Sequence, residues 1–411
     1  MSFVAGLYSP AADRLYEPEL GRYLCDETGE NLKVVYDYDL ISETLDMESA
    51  FCREGAEGIS RYIDLLPFDD VGNIPPLLVG ETPLIESPRL REKYEHPQLF
   101  LKDDGRLPSA SFKDRASAVA IAHAVENDQE IITGASTGNA AASLACLSAS
   151  MGITSVIFVP ETAPEGKIAQ LLLYGAHVFA VEGTYDDAFD LCTEVADELG
   201  WYNRNTGYNP YTREGKKTVS YELTLDLDGN APDYVFVSVG DGNIISGTYK
   251  GFDELETLGW IEKKPKIIGV QSENSSAIAD AFEGNREIQP VESNTIADSI
   301  AVDMPSDGVF ALEAAIESNG RYVTVADREI LDAQAELSNT AGVFSEPAAA
   351  TAFAGYKQMA DEIEPHETAV IMLTGHGLKD VKTAMESAGD PISIRPQLSD
   401  VKKELQRLNL A

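Results

Sequence analysis

Tyr234-Val235-Phe236-Val237-Ser238-Val239 runs directly into Gly240-Asp241-Gly242-Asn243 and then Ile244-Ile245-Ser246-Gly247. An apolar strand, a glycine turn and a helix start follow one another without a break, and this is the unit from which parallel sheets with crossover helices are built. The same rhythm extends outward from residue 98 onward, with apolar runs at 99–102, 131–133, 155–159, 178–181, 267–271, 322–325 and 370–373. Between them, stretches 112–125, 139–150, 186–198 and 346–359 are rich in Ala, Leu and spaced charge, as buried or amphipathic helices are. The expected fold class is therefore α/β. In open parallel sheets ligands bind at the carboxyl ends of strands, so the turns there are where chemistry is sought. Residues 1–75 are mixed and turn-rich and read as an N-terminal arm, and 396–411 as a charged C-terminal helix.

Composition narrows the function classes. The 411 residues include 69 acidic and 31 basic side chains, a net charge of −38. Such a chain repels nucleic-acid phosphates and anionic lipid, so neither a nucleic acid nor a membrane is an expected partner. With 44% hydrophobic residues, the charge must coat a folded body. An acidic surface of this kind suits a salt-rich, halophilic cytoplasm, where counter-ions screen self-repulsion. Cys25, Cys52, Cys146 and Cys192 are widely spaced and form no CxxC pair, so no metal and no disulfide framework is expected. The opening Met1-Ser2-Phe3-Val4-Ala5-Gly6 lacks the basic and apolar regions of a secretory signal, and a cytoplasmic location is expected.

Four segments could hold an anionic ligand. In Pro108-Ser109-Ala110-Ser111-Phe112-Lys113-Asp114-Arg115, Ser111 reads as an N-cap that places Lys113 in the first helical turn, where the dipole disfavours a cation. A neutral or covalently engaged amine follows, a nucleophile toward carbonyls. Gly134-Ala135-Ser136-Thr137-Gly138-Asn139 presents backbone N–H groups and two hydroxyls to a carboxylate or phosphate. Gly240 to Asn243 allows close approach of a phosphate to a helix N-terminus. The next glycine after Gly242 is Gly247, so the dinucleotide fingerprint fails. There, the Asp241 carboxylate is expected to point to water. Met372-Leu373-Thr374-Gly375-His376-Gly377 places a neutral hydroxyl at the end of the last strand, and His376 reads as a structural hydrogen-bond partner.

The order of these segments resembles the fold-type II pyridoxal-phosphate enzymes. Gly80-Glu81-Thr82-Pro83-Leu84, Ser111-Phe112-Lys113-Asp114-Arg115, Ser136-Thr137-Gly138-Asn139 and Leu373-Thr374-Gly375-His376-Gly377-Leu378-Lys379-Asp380 are similar to the threonine synthase group within them. The resemblance implies a tryptophan-synthase-β-like fold: two open, twisted, mostly parallel sheets flanked by helices. It divides the chain into a large cofactor-binding domain, 76–105 with 206–395, and a small mobile domain, 106–205. Pyridoxal 5′-phosphate is implied as cofactor, joined to the Lys113 amine. Asn139 would bond the ring 3-oxygen, Gly240, Asp241, Gly242 and Asn243 would cradle the phosphate, and Thr374 would face the ring nitrogen. Ser136, Thr137 and Gly138 would hold the substrate anion.

The implied reaction is a lyase step on O-phospho-L-homoserine: γ-elimination of phosphate, then addition of water at the β-carbon to give L-threonine. Lys113 serves as both anchor and base. A small anionic phosphorylated amino acid is thus the expected partner, with the arm and C-terminal helix as surfaces for a homodimer. The family segment N-P-x-R-x-E-G appears as Asn209-Pro210-Tyr211-Thr212-Arg213-Glu214-Gly215, with the arginine one position late. In an extended segment that shift turns Arg213 to the other face, and Lys216 or Lys217 would substitute as point charges. Tyr23 to Glu30 resembles a degenerate zinc knuckle without its partner cysteines. Other readings are β-replacement on O-phospho-L-serine, as in cysteate synthase, a dehydratase, a cofactor-free ligand-binding paralogue and a nicotinamide dehydrogenase.

Overall fold

The computed structural model describes residues 3–410; Met1, Ser2 and Ala411, at the ends of the expected arm and C-terminal helix, lie outside the described residues. Thirteen strands occur among these, β1 Val4–Ser9, β2 Arg14–Tyr16, β3 Lys33–Tyr36, β4 Leu84–Glu86, β5 Leu99–Asp103, β6 Ile131–Ala135, β7 Thr154–Pro160, β8 His177–Val181, β9 Tyr202–Asn203, β10 Tyr234–Ser238, β11 Lys266–Ser272, β12 Arg321–Val325 and β13 Ala369–Leu373. Every apolar run expected from residue 98 onward is a strand.

The strands form an α/β architecture around two main sheets. One is six-stranded, in the order β12-β11-β10-β13-β5-β4, parallel except for β4 at its edge. The other is four-stranded and wholly parallel, in the order β8-β7-β6-β9. β10 and β13 are buried along their whole length, which is why they read as continuous apolar runs rather than alternating ones.

Register brings the turns together. β13 lies between β10 and β5, with Ala369 opposite both Tyr234 and Leu99. Gly240 after β10 and Thr374 after β13 therefore leave the same edge of the large sheet. In the small sheet, β6 pairs with both β7 and β9, so the Ser136 loop and Arg204 emerge from adjacent strand ends.

Within the expected arm, β2-β1-β3 form an antiparallel sheet that the sequence reading did not specify, with Leu7, Val34 and Tyr36 buried in the main core. A departure from expectation is at 209–217, read as extended but helical over Tyr211–Lys216. The helix Lys113–Glu126 is enclosed nearly all round, Ala116, Ala118, Ala120, Ala122 and Ala124 all being buried. Helix Tyr211–Lys216 packs directly against it. A methyl at Gly215 would overlap the Arg115 carbonyl, so only glycine permits this approach.

Candidate active site

Helix Lys113–Glu126 begins at the lysine itself. Ser111 does not cap it: the residue before the helix is Phe112, in helical conformation, and the Ser111 hydroxyl is buried without a hydrogen-bond partner. The backbone does that work instead. Phe112 N–H donates to the Thr374 carbonyl at 2.8 Å, and His376 N–H to Ala110 at 3.1 Å, which binds the lysine loop to the turn after β13. Asp114 and Arg115 hold the loop from below. Asp114 accepts from Ser109 N–H at 2.6 Å. Arg115, fully buried, pairs with Asp104 at 2.7 Å and Glu222 at 2.9 Å, and Thr82 joins the same carboxylates. In the Ser-Phe-Lys-Asp-Arg string, then, one residue faces the ligand and the next two fix its position.

Lys113 opens into a cleft of about 500 Å³, mouth included, lined also by Asn139, Thr206, Lys216, Ser299, Glu346 and Thr374 together with the turn 239–243. Gly240, Asp241, Gly242 and Asn243 thus meet Lys113, Asn139 and Thr374 in one cavity. Ser136, Thr137 and Gly138 form the half-exposed turn leading into Asn139, with Gly138 N–H donating to the Ser136 hydroxyl at 3.1 Å.

Three residues expected at the substrate lie elsewhere. Arg213 is paired with Asp307 and stacked on Phe310, because in a helix a shift of one residue turns a side chain by about 100°. Lys217 is locked between Glu214 at 2.7 Å and Glu254 at 2.9 Å. Asn209 holds its own loop, donating to Asn203 O at 2.7 Å and accepting from Tyr211 N–H at 2.8 Å. Asp241 also differs from expectation. One carboxylate oxygen accepts from Ser306 N–H at 2.8 Å and the other is enclosed, so the group faces protein rather than water. His376 does cap a short turn, accepting from Leu378 N–H at 3.1 Å.

The structure adds residues that sequence spacing did not single out. Glu346, 3% exposed, accepts from Asn139 Nδ2 at 2.9 and 3.1 Å. Its carboxylate fills the space where Gly375 has no side chain. Lys216 donates to Asn243 Oδ1 within the glycine turn. Arg204 is buried beside Thr206. None carries a local signal, since each acts on a partner brought close only by the fold.

The electrostatics of the cleft are unlike those of the chain. Burial, then Arg204, pushes the Lys113 amine below its ordinary range, while Asp241 and Glu346 oppose the shift. Burial, then Lys113 and Arg204, holds Lys216 far lower still. Burial raises the Asp241 and Glu346 carboxyls. Two lysine amines therefore line one cleft, with the buried Arg204 acting on both, in a chain of net charge −38, an arrangement that anionic ligands would stabilise.

This donor set fits pyridoxal phosphate: an amine of depressed basicity for the aldehyde, and a glycine turn at the N-terminus of helix Asn243–Thr257 backed by the buried Lys216 side chain for the phosphate. The likenesses agree. Residues 76–375 match the family described as pyridoxal-phosphate dependent enzyme. The threonine synthase of Methanocaldococcus jannaschii is 37% identical over 94% of this chain and 96% of its own length. That of Methanosarcina acetivorans is 35% identical over 93% and 94%. Among solved structures, the processed threonine deaminase isoform 2 of Solanum lycopersicum superposes with a TM-score of 0.65 at 22% identity, covering 75% of this chain and 83% of its own. Maize serine racemase gives 0.62 at 22%, covering 80% and 93%. These two speak for the fold alone. With most of its length matched and a cleft built for the cofactor, the chain belongs to the fold-type II pyridoxal-phosphate dependent enzymes, in the group of the threonine synthases.

Proposed function

We propose that the chain is a lyase that converts O-phospho-L-homoserine and water to L-threonine and phosphate. The observation that carries the reading is the single cleft in which Lys113, Asn139, the 240–243 turn and Thr374 meet, in a chain whose full-length relatives are named threonine synthase. When bound, pyridoxal phosphate supplies an electron-withdrawing ring that stabilises negative charge beside the substrate nitrogen.

The chain's own residues do the rest. Lys113, its amine made less basic by burial and by Arg204, acts first as a nucleophile and then as the base that takes a proton from the substrate. Asn139, its amide turned by Glu346, keeps a second N–H that meets only Ser299 at 3.4 Å and is free for the ring oxygen. Backbone N–H groups of Gly240 to Asn243, with Lys216 behind them, hold the cofactor phosphate. Thr374 offers the ring nitrogen a neutral hydroxyl, which does not force that nitrogen to stay protonated and so suits elimination and replacement. Ser136, Thr137 and Gly138 close on the substrate from the small sheet, and movement of residues 106–205 as a body excludes water until the double bond has formed.

The test is to incubate holoprotein in molar KCl with O-phosphohomoserine and, separately, with O-phosphoserine, each with and without sulfite, and to identify the amino acid formed. Threonine with one equivalent of phosphate is the expected product. Phosphate released only from O-phosphoserine would replace this reading with β-replacement.

A further inference from the structure

Three arginines are buried among the described residues: Arg115, Arg204 and Arg213. Arg115 has Asp104 and Glu222, and Arg213 has Asp307. Arg204 has no carboxylate in ion-pair range among these residues. Its Nε donates to Ser117 Oγ at 3.2 Å and its Nη1 to Thr206 Oγ1, while Nη2 is buried with no partner. The acid that acts on it electrostatically from within the fold, Asp114, spends its carboxylate on Ser109. In a chain with 69 acidic residues, leaving one buried guanidinium without an acid is costly unless a ligand supplies the anion.

The position of the group says which ligand. Ser117 lies one helical turn beyond Lys113 on the same face of helix Lys113–Glu126. Thr206, which holds Nη1, lines the cleft. Arg204 follows β9 and its N–H donates to Thr133 in β6, so it stands next to the turn that carries Ser136 and Thr137. We propose that Arg204, not Arg213, is the guanidinium that receives the phosphate of the substrate, with its unpartnered Nη2 and the Ser136-Thr137 hydroxyls as the donor set. The assignment deepens the proposed function, because it rests on a phosphorylated amino acid being the substrate. It also separates the two anion sites: the cofactor phosphate at Lys216 and the glycine turn, the substrate phosphate at Arg204 and the small-sheet turn.

The probe is inorganic phosphate added to holoprotein at fixed high ionic strength, so that the glycine turn is already filled. Affinity is read from phosphorus NMR and thermal midpoint from melting. Wild type is expected to bind saturably. In Arg204→Gln the affinity falls about thirtyfold or more, while the melting midpoint stays level or rises, because an uncompensated buried charge has been removed. A structural arginine would give the opposite pair of results. Should the amide variant fail to fold, Arg204→Lys stands in for it: losing the planar fork is expected to weaken phosphate about tenfold, and unchanged affinity would overturn the assignment. So would a wild type that binds no phosphate saturably, or Arg204→Gln binding it as wild type does. Threonine formation with an unchanged KM in Arg204→Gln would end this assignment and leave the function standing. Arginine-dependent phosphate binding in a protein that consumes neither phosphoester would do the reverse.

Discussion

Replacing Glu346 by Gln keeps the shape of the side chain and removes its charge, which makes it a sharp probe of the cleft. Glu346 accepts from Asn139 Nδ2 with both oxygens and is one of two carboxylates that raise the Lys113 amine against burial and Arg204. A hydrogen bond to a charged group is worth about 1.5–3 kcal/mol and a neutral one about 1, so the substitution loosens Asn139 by roughly 1–2 kcal/mol. If Asn139 in turn orients the cofactor ring, cofactor affinity should fall about five- to thirtyfold. The charge acts separately: without a neighbouring carboxylate the protonated amine is less favoured, so the pH midpoint of the cofactor's visible band should move to lower pH. At 1.36 kcal/mol per pH unit, a loss of about 1 kcal/mol is a shift approaching one unit. Absorbance titration of the holoprotein against pH, and cofactor titration of the apoprotein at pH 8, read the two effects. A midpoint that stays put or moves to higher pH, together with undiminished cofactor affinity, would refute the role given to Glu346.

Arg115→Met should cost about 3–5 kcal/mol of stability in chemical denaturation, because it strands Asp104 in the interior and leaves Glu222 with Lys102 alone; a change below about 1 kcal/mol would contradict the anchoring role of Arg115. Acid should destabilise the protein in two stages. His123, buried against Tyr202 and Tyr211, is held down to about 4, so the unfolded chain binds the extra proton and stability declines as pH falls from about 6.5 to 4. Glu222, held at about 2 despite burial by Arg115 and Lys102, contributes above about 4.5 and loses that contribution as pH falls further. His123→Gln should flatten the first stage and leave the second, as read by urea midpoints across the range. With a net charge of −38, the melting temperature should rise steadily from low to molar KCl as repulsion is screened; a salt-independent melting temperature would argue against a surface suited to concentrated salt.

Eight strands of the two main sheets were legible as apolar runs, β10 and β13 most plainly because they are buried along their whole length, whereas the short edge strands β4 and β9 were not. That Lys113, Asn139, Gly240 to Asn243 and Thr374 share one cleft was foreshadowed for a related reason: each stands at a strand end or helix start, where backbone chemistry leaves a mark in Gly, Ser, Thr and Asn. The sheet within the arm was not, since β1 to β3 alternate weakly and gain their burial from Leu7, Val34 and Tyr36 against the larger body. Arg213 was misplaced because 209–217 looks extended around Asn209-Pro210 yet coils into a helix, held by the glycine contact between Gly215 and Arg115. Glu346 and Arg204 were silent because their neighbours are remote in the chain. Asn139 is 207 residues from Glu346, and Ser117 is 87 from Arg204.

The cleft is lined by two amines, Lys113 and Lys216, with different work proposed for each. Reduction of the holoprotein with borohydride, proteolysis and mass measurement of the peptides will show which one carries the cofactor. The label is expected on the peptide containing Lys113, with Lys113→Ala colourless after reconstitution and Lys216 unmodified. A label on Lys216, or a coloured Lys113→Ala protein, would contradict the assignment on which the site has been built.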